Sequence, residues 1–192
     1  MAMHTELWFP SVVWSSVIHV VDNAEVKSFA YGLRETNQGR IVSNYNGFQS
    51  QDIKSGDCPA IDRLVKLLND EMNTCANQVG MRHLEIQNLW ININPPNSYN
   101  HLHNHVGSVL SGVYYVDATS EQGNIQFERN DNAEYHIPTK VAKETYYTST
   151  RATYAGKTNA LYIFPSWLKH SVQGNKSNTD RISISFNYGE KV

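Results

Sequence analysis

The sequence predicts an α+β protein that is mainly β, its helices coming first and packing outside a β-sandwich or barrel. Two observations carry this. Between Ile61 and Val79 apolar residues recur at helical spacing, and after Gly80 the pattern changes to alternation and keeps it to the end of the chain. The alternating half is divided into short runs by Gly, Pro, Asn and Ser, which suits many short strands better than alternating strands and helices.

Leu7 to Val21 reads as one or two strands interrupted at Pro10, with Val12, Val13, Trp14, Val17, Ile18 and Val20 supplying β-branched and aromatic bulk. Asp22-Asn23-Ala24-Glu25 has the form of a helix start: Asp22 can accept from an early amide, and Glu25 can reach back three residues. That helix should run to about Asn37, with Gly39 beyond its end. Arg40 to Gly56 is polar and weakly patterned, a loop or short strand. Asp57 to Val79 is the strongest helix, with Pro59 in its first turn and a core stripe of Ile61, Leu64, Val65, Leu68, Met72, Cys75 and Val79. Leu84–Ile93 is a strand broken by Pro95-Pro96-Asn97. Val109–Asp117, Gly123–Phe127, Arg151–Tyr154, Ala160–Phe164, Lys169–Gln173 and Arg181–Tyr188 follow as further strands. Arg129–Thr150 has no clear pattern; a long segment of this kind is either a substrate-covering loop or a polar hairpin extension.

The 192 residues suffice for one domain spanning 1–192, with helical support over about 22–80 and a β core over about 84–188. Apolar residues at 40% and charged residues at 18% are those of a globular chain, and a net charge of −2 offers no electrostatic footprint for nucleic acid or for a membrane surface. Cys58 and Cys75 are too few for a disulfide framework and fit a reducing compartment. With no leader pattern at Met1–Leu7 and no membrane-length apolar run, a cytoplasmic location is expected.

Three of the eight histidines fall within His101-Leu102-His103-Asn104-His105, just before an apolar run. Residues two apart on extended backbone share a face, so a His-x-His pair presents two imidazoles side by side. His101 with His103 and His103 with His105 are equally good pairs by spacing. Farther on, Phe164-Pro165-Ser166-Trp167 runs into His170, and Arg181 opens an alternating strand eleven residues later. Imidazole suits iron, zinc, copper and nickel alike, so the histidines do not name the ion.

Trp90-Ile91-Asn92, the His-x-His before Ser111-Gly112-Val113-Tyr114-Tyr115, the Phe164-Pro165-Ser166-Trp167 run into His170, and Arg181-Ile182-Ser183 together resemble the 2-oxoglutarate and Fe(II)-dependent oxygenases. More narrowly, they resemble a small family of such proteins from marine bacteria and their phages. The match covers roughly Leu84 to Tyr188. The resemblance implies a double-stranded β-helix, or jelly-roll, with iron at its open mouth, and a dioxygenase that couples oxidative decarboxylation of 2-oxoglutarate to hydroxylation of a substrate. It implies His103, His105 and His170 as metal ligands, His105 standing where the wider superfamily usually has Asp or Glu. Arg181 would form a two-pronged salt bridge to the far carboxylate of 2-oxoglutarate. Ser183 and Tyr115 would donate hydroxyls to the same group, and Asn92 would line the pocket. Expected partners are 2-oxoglutarate, O2 and a peptide side chain or small metabolite, with neither nucleic acid nor membrane; exposed jelly-roll strands would allow a homodimer. Two other readings compete. A cupin-type metalloenzyme shares the His-x-His and Pro165 before His170, but its glutamate is missing at close spacing (Glu121 is sixteen residues from His105) and Arg181 has no task. A non-catalytic jelly-roll binding protein would leave the histidines without metal.

Overall fold

In the computed structural model, which describes residues 3–191, the two periods read from the sequence become two helices and eleven strands among those residues. In chain order these are β1 (Trp14–Val17), α1 (Asn23–Thr36), β2 (Asn44–Tyr45), β3 (Phe48–Gln49), α2 (Pro59–Gln78), β4 (Glu85–Asn94), β5 (Tyr99–His103), β6 (Leu110–Asp117), β7 (Ile125–Glu128), β8 (Arg151–Tyr154), β9 (Ala160–Pro165), β10 (His170–Val172) and β11 (Arg181–Gly189).

Asp22 caps α1 as expected, its carboxylate accepting from the amides of Ala24 and Glu25 at 3.1 Å each. The expected return contact of Glu25 is not made. Its carboxylate instead accepts from the Ala60 amide at 3.0 Å and pairs with Arg63 at 2.9 Å, so it sits at the positive end of α2 and ties the helices together. The α2 stripe is buried except for the half-buried Val65 and for Val79, which lies past the helix end and is 42% exposed.

The strands form two antiparallel sheets: a major one ordered β1-β9-β6-β11-β4-β3 and a minor one ordered β2-β5-β10-β7-β8. This is the jelly-roll arrangement. Alternation sorts the side chains of the major sheet. Leu89, Ile91 and Ile93 with Ile182, Ile184, Phe186 and Tyr188 pack toward the helices, in one cluster with Leu64, Leu68 and Met72. Their neighbours on the same strands, Trp90, Asn92, Ser183 and Ser185, face a cleft between the sheets. A second apolar cluster, including Val113, Tyr115, Ile125, Phe127 and Phe164, fills the space on one side of that cleft.

Three expectations change. Of Leu7–Val21, only Trp14–Val17 is a strand: it pairs β9 along one edge, whereas Leu7, Trp8 and Phe9 are exposed and meet no partner strand among the described residues. The histidine cluster does not enter the strand that follows it; Tyr99–His103 is a strand in its own right, held between β2 and β10. Arg129–Thr150 contains no strand, only a short helical turn at Ala133–Tyr135. The segment leaves β7 beside His170, where the Glu128 amide donates to the Lys169 carbonyl at 2.9 Å, so it stands at the histidine end of the cleft with Tyr135, Tyr146 and Tyr147 exposed. No helix among the described residues is long and apolar enough to cross a membrane.

Candidate active site

His103 is the last residue of β5 and pairs in register with His170, the first residue of β10. His105 lies two residues past the end of β5, where its amide donates to the Ser166 carbonyl at 2.9 Å and keeps the chain against the turn that leads into β10. Extended backbone thus carries His103 and His105 onto one face, and strand pairing adds His170. One ligand-capable atom from each of the three lies within 4.8 Å of the others, and the ring centroids are 4.3 to 5.3 Å apart. His101 is not in this group; it is exposed, its ring edge-on to Tyr99 at 4.9 Å.

The hydrogen bonds decide which nitrogen of each ring is available. Nδ1 of His103 lies 2.7 Å from the His101 carbonyl, and Nδ1 of His170 lies 2.9 Å from the Leu168 carbonyl. A carbonyl only accepts, so each Nδ1 carries the proton and each Nε2 keeps its lone pair. Nδ1 of His105 meets the side-chain oxygen of Asn187 at 2.5 Å, which fixes the same tautomer. Burial lowers the pKa of all three rings, to about 4 for His105 and about 3 for His170, so they stand neutral at pH 7. Three neutral imidazoles with converging Nε2 lone pairs make a donor set that could hold a divalent transition metal. Trp90, Phe127 and Phe164 pack around these rings, with Phe164 4.7 Å from His170.

From the histidines the cleft runs inward along β11, whose alternate residues Ser185, Ser183 and Arg181 face it over about 13 Å of strand. It encloses about 500 Å³ including its open mouth. Arg181 stands at the inner end, 1% exposed, and no ion pair among the described residues reaches it. Nη1 donates to the carbonyls of Gln122 and Gln173, leaving the rest of the guanidinium toward the cleft. Ser183 is in register with Tyr115 on β6, and neither hydroxyl has a hydrogen-bond partner among the described residues. Burial pushes the Tyr115 phenol up to about 12, so it is a proton donor at any physiological pH. A buried cation with two unspent hydroxyl donors beside it, and no carboxylate among the described residues lining the cleft, is a site for an anion.

The lining changes across the sheets. On the β6, β9, β7 and β10 side it is Val113, Phe164, Ile125 and Val172; on the β4, β3 and β5 side it is Asn92, Asn94, Gln49 and Asn100. Asn92 donates to the Ser185 hydroxyl at 3.0 Å, and the Gln49 carboxamide, 6% exposed, has no partner among the described residues. All seven residues singled out in the sequence therefore line one cleft. Sequence reading missed Asn187, Gln49 and Gly123. Asn187 and Gln49 carry no local signal, because they meet the site only through strand pairing. Gly123 has φ +99°, and a Cβ there would lie 2.1 Å from the Gln173 carbonyl oxygen and 2.7 Å from Arg181 Nη1. Only glycine fits where the arginine is seated.

A family profile described as "Putative 2OG-Fe(II) oxygenase" matches residues 88–187, from β4 through most of β11. No curated protein matches the chain by sequence. Solved structures match it over nearly its whole length at low identity, which speaks for the fold. A prolyl-4-hydroxylase from Pseudomonas putida superposes with a TM-score of 0.63 at 15% identity, covering 95% of this chain and 94% of that one. The non-haem, alpha-ketoglutarate-dependent epimerase SnoN of nogalamycin biosynthesis gives 0.69 at 15%, covering 94% and 77%. HygX from Streptomyces hygroscopicus, solved with nickel and 2-oxoglutarate bound, gives 0.64 at 12%, covering 95% and 84%.

Proposed function

The chain belongs to the 2OG-Fe(II) oxygenase family, and on that premise we propose that it is a single-domain hydroxylase whose metal ligands are His103, His105 and His170 and whose cosubstrate pocket is built on Arg181. The observation that carries the reading is the buried Arg181 guanidinium without a counter-charge, facing the same cleft as three neutral imidazoles. The family's cofactor is Fe(II) and its cosubstrate 2-oxoglutarate, a dicarboxylate with one end to chelate a metal and one to meet a guanidinium.

In this reading each residue has a task. Nε2 of the three histidines binds the ion, and the proton on each Nδ1 keeps the rings turned to it. Arg181 takes the far carboxylate of 2-oxoglutarate through two parallel N–H bonds, with Ser183 and Tyr115 donating to the same oxygens. Val113, Ile125, Phe164 and Val172 enclose the two methylenes and keep water from the metal's approach. When bound, the ferrous ion supplies the oxygen activation that couples decarboxylation of 2-oxoglutarate, to succinate and carbon dioxide, with oxidation of the substrate. The substrate approaches along the side lined by Gln49, Asn92, Asn94 and Asn100, which offers hydrogen bonds and no charge. That suits a neutral peptide side chain or a small polar metabolite, and the neighbours named as a prolyl hydroxylase and as the epimerase of nogalamycin biosynthesis favour the same range. Segment 129–150 would cover the mouth. The cupin alternative gives Arg181 no anion to meet, and nothing in the cleft favours it.

Oxygen consumption by Fe(II)-reconstituted protein without added substrate tests the proposal. Slow uptake that needs 2-oxoglutarate, yields succinate and disappears in His170→Ala and in Arg181→Gln is the expected result. Uptake indifferent to 2-oxoglutarate, or unchanged in both variants, would refute it.

A further inference from the structure

The three imidazoles are not held alike. His103 and His170 bond to carbonyls two residues back on their own chain, partners no substitution removes. His105 lies beyond β5, and its Nδ1 depends on one side chain of another strand, Asn187 of β11. A carboxamide can present either its oxygen or its amino group, so something must fix which one His105 meets. Ser111 Oγ donates to Asn187 Oδ1 at 2.6 Å, and Asn187 Nδ2 donates to Asn88 Oδ1 at 2.8 Å. Together they turn the oxygen toward His105. With its hydrogen spent on Asn187, Ser111 accepts from Ser166 Oγ at 2.7 Å, and the Ser166 carbonyl takes the His105 amide. The network closes around the ring, and Asn187 is 7% exposed.

We propose that Asn187 is the positioning residue of the metal centre: it holds His105 in the Nε2-donating tautomer, and because its acceptor is uncharged it keeps the ligand set neutral. The 2-oxoglutarate dianion then contributes the only negative charge beside the divalent ion, so cosubstrate and metal should each strengthen the other's binding. A carboxylate at position 187 would draw the Nδ1 proton harder and place a negative charge one bond from the ligand ring, weakening that dependence. The inference rests on His105 being a ligand.

The experiment is calorimetric titration of Mn(II), a redox-stable stand-in for Fe(II), into metal-free protein with and without 2-oxoglutarate. Asn187→Leu should weaken Mn(II) binding by about 10- to 100-fold. In a His105→Ala background the same change should weaken it no further. Asn187→Asp should bind Mn(II) without 2-oxoglutarate at least as tightly as wild type, with a smaller enhancement by 2-oxoglutarate. Equal weakening by Asn187→Leu in both backgrounds, or none in either, would overturn the proposal and leave Asn187 a structural residue. If His105→Ala itself leaves Mn(II) binding unchanged, the ligand reading fails first and the proposal with it. Should Asn187→Leu not fold, Asn88→Leu carries the test by freeing the carboxamide to turn. It should weaken Mn(II) binding, and Asn88→Asp, which keeps an acceptor for Asn187 Nδ2, should restore it; equal affinities in the two would also overturn the proposal.

Discussion

Arg181 shows how a single side chain can be costly to the fold and still be explained. An uncompensated buried ion costs several kcal/mol after relaxation, and among the described residues Arg181 hydrogen-bonds two carbonyls, those of Gln122 and Gln173, and no carboxylate. A dicarboxylate end would offset that cost, so the cost itself becomes selectivity for an anion. Gly123 is part of the same device. Gly123→Ala should drive the guanidinium off its seat, lower the melting temperature and weaken 2-oxoglutarate binding at least tenfold, while Mn(II) affinity, set at the other end of β11, stays near wild type; equal loss of both affinities would contradict the assignment. Tyr115→Phe deletes one hydroxyl and leaves the ring packed against Tyr162. Losing one hydrogen bond to a charged group is worth about 1.5–3 kcal/mol. Titration of the variant should therefore show 2-oxoglutarate affinity lower by about 10- to 100-fold, and an unchanged affinity would remove Tyr115 from the pocket.

At the scale of elements, α1 braces the inner end of the cleft. Arg34 pairs with Asp180, the residue before Arg181, at 2.9 Å, and Lys27 pairs with Asp117 at the end of β6. Its start depends on Asp22, which satisfies two orphan amides. Asp22→Ala should cost about 1 kcal/mol in urea denaturation, with α1 fraying by hydrogen exchange before the sheets open; no change would show that tertiary packing alone sets the helix start. Both helices were legible in the sequence because their apolar stripes and caps are local. The longer strands β4, β6, β9 and β11 were legible for the same reason, since alternation sorts their residues between helix-facing core and cleft. β5 was not, because Tyr99–His103 is polar and becomes a strand only by pairing with β2 and β10. Leu7–Val13 failed the other way: it has strand composition but no partner strand. The histidines and Arg181 could be named from motif order, whereas the Asn187–His105 contact arises from two segments 82 residues apart.

For the molecule as a whole, two sheets hold a cluster of three histidines at one end of a cleft and a cation at the other, and the helices cover the outer face of the major sheet. The site should therefore make stability depend on pH. His103, His105 and His170 have folded pKa values below the ordinary 6.5, so protons bind the unfolded chain first and stability is lost as pH falls below about 6.5, toward 4 and 3. Above that value these groups contribute no slope. Metal-free protein should melt at a constant temperature from about pH 8 to 7 and progressively lower from about pH 6.5 to 5, before most carboxylates titrate. His170→Gln should flatten that decline; an equally steep one would mean the histidines are not its source. The central claim is that one cleft holds a ferrous ion on three histidines and 2-oxoglutarate on Arg181. Its most direct measurement is calorimetric titration of 2-oxoglutarate into anaerobic Fe(II)-loaded protein, beside Arg181→Ala. Micromolar binding that vanishes in the variant, with metal content unchanged, is the predicted result. Equal binding in both proteins, or none in the loaded wild type, would contradict it.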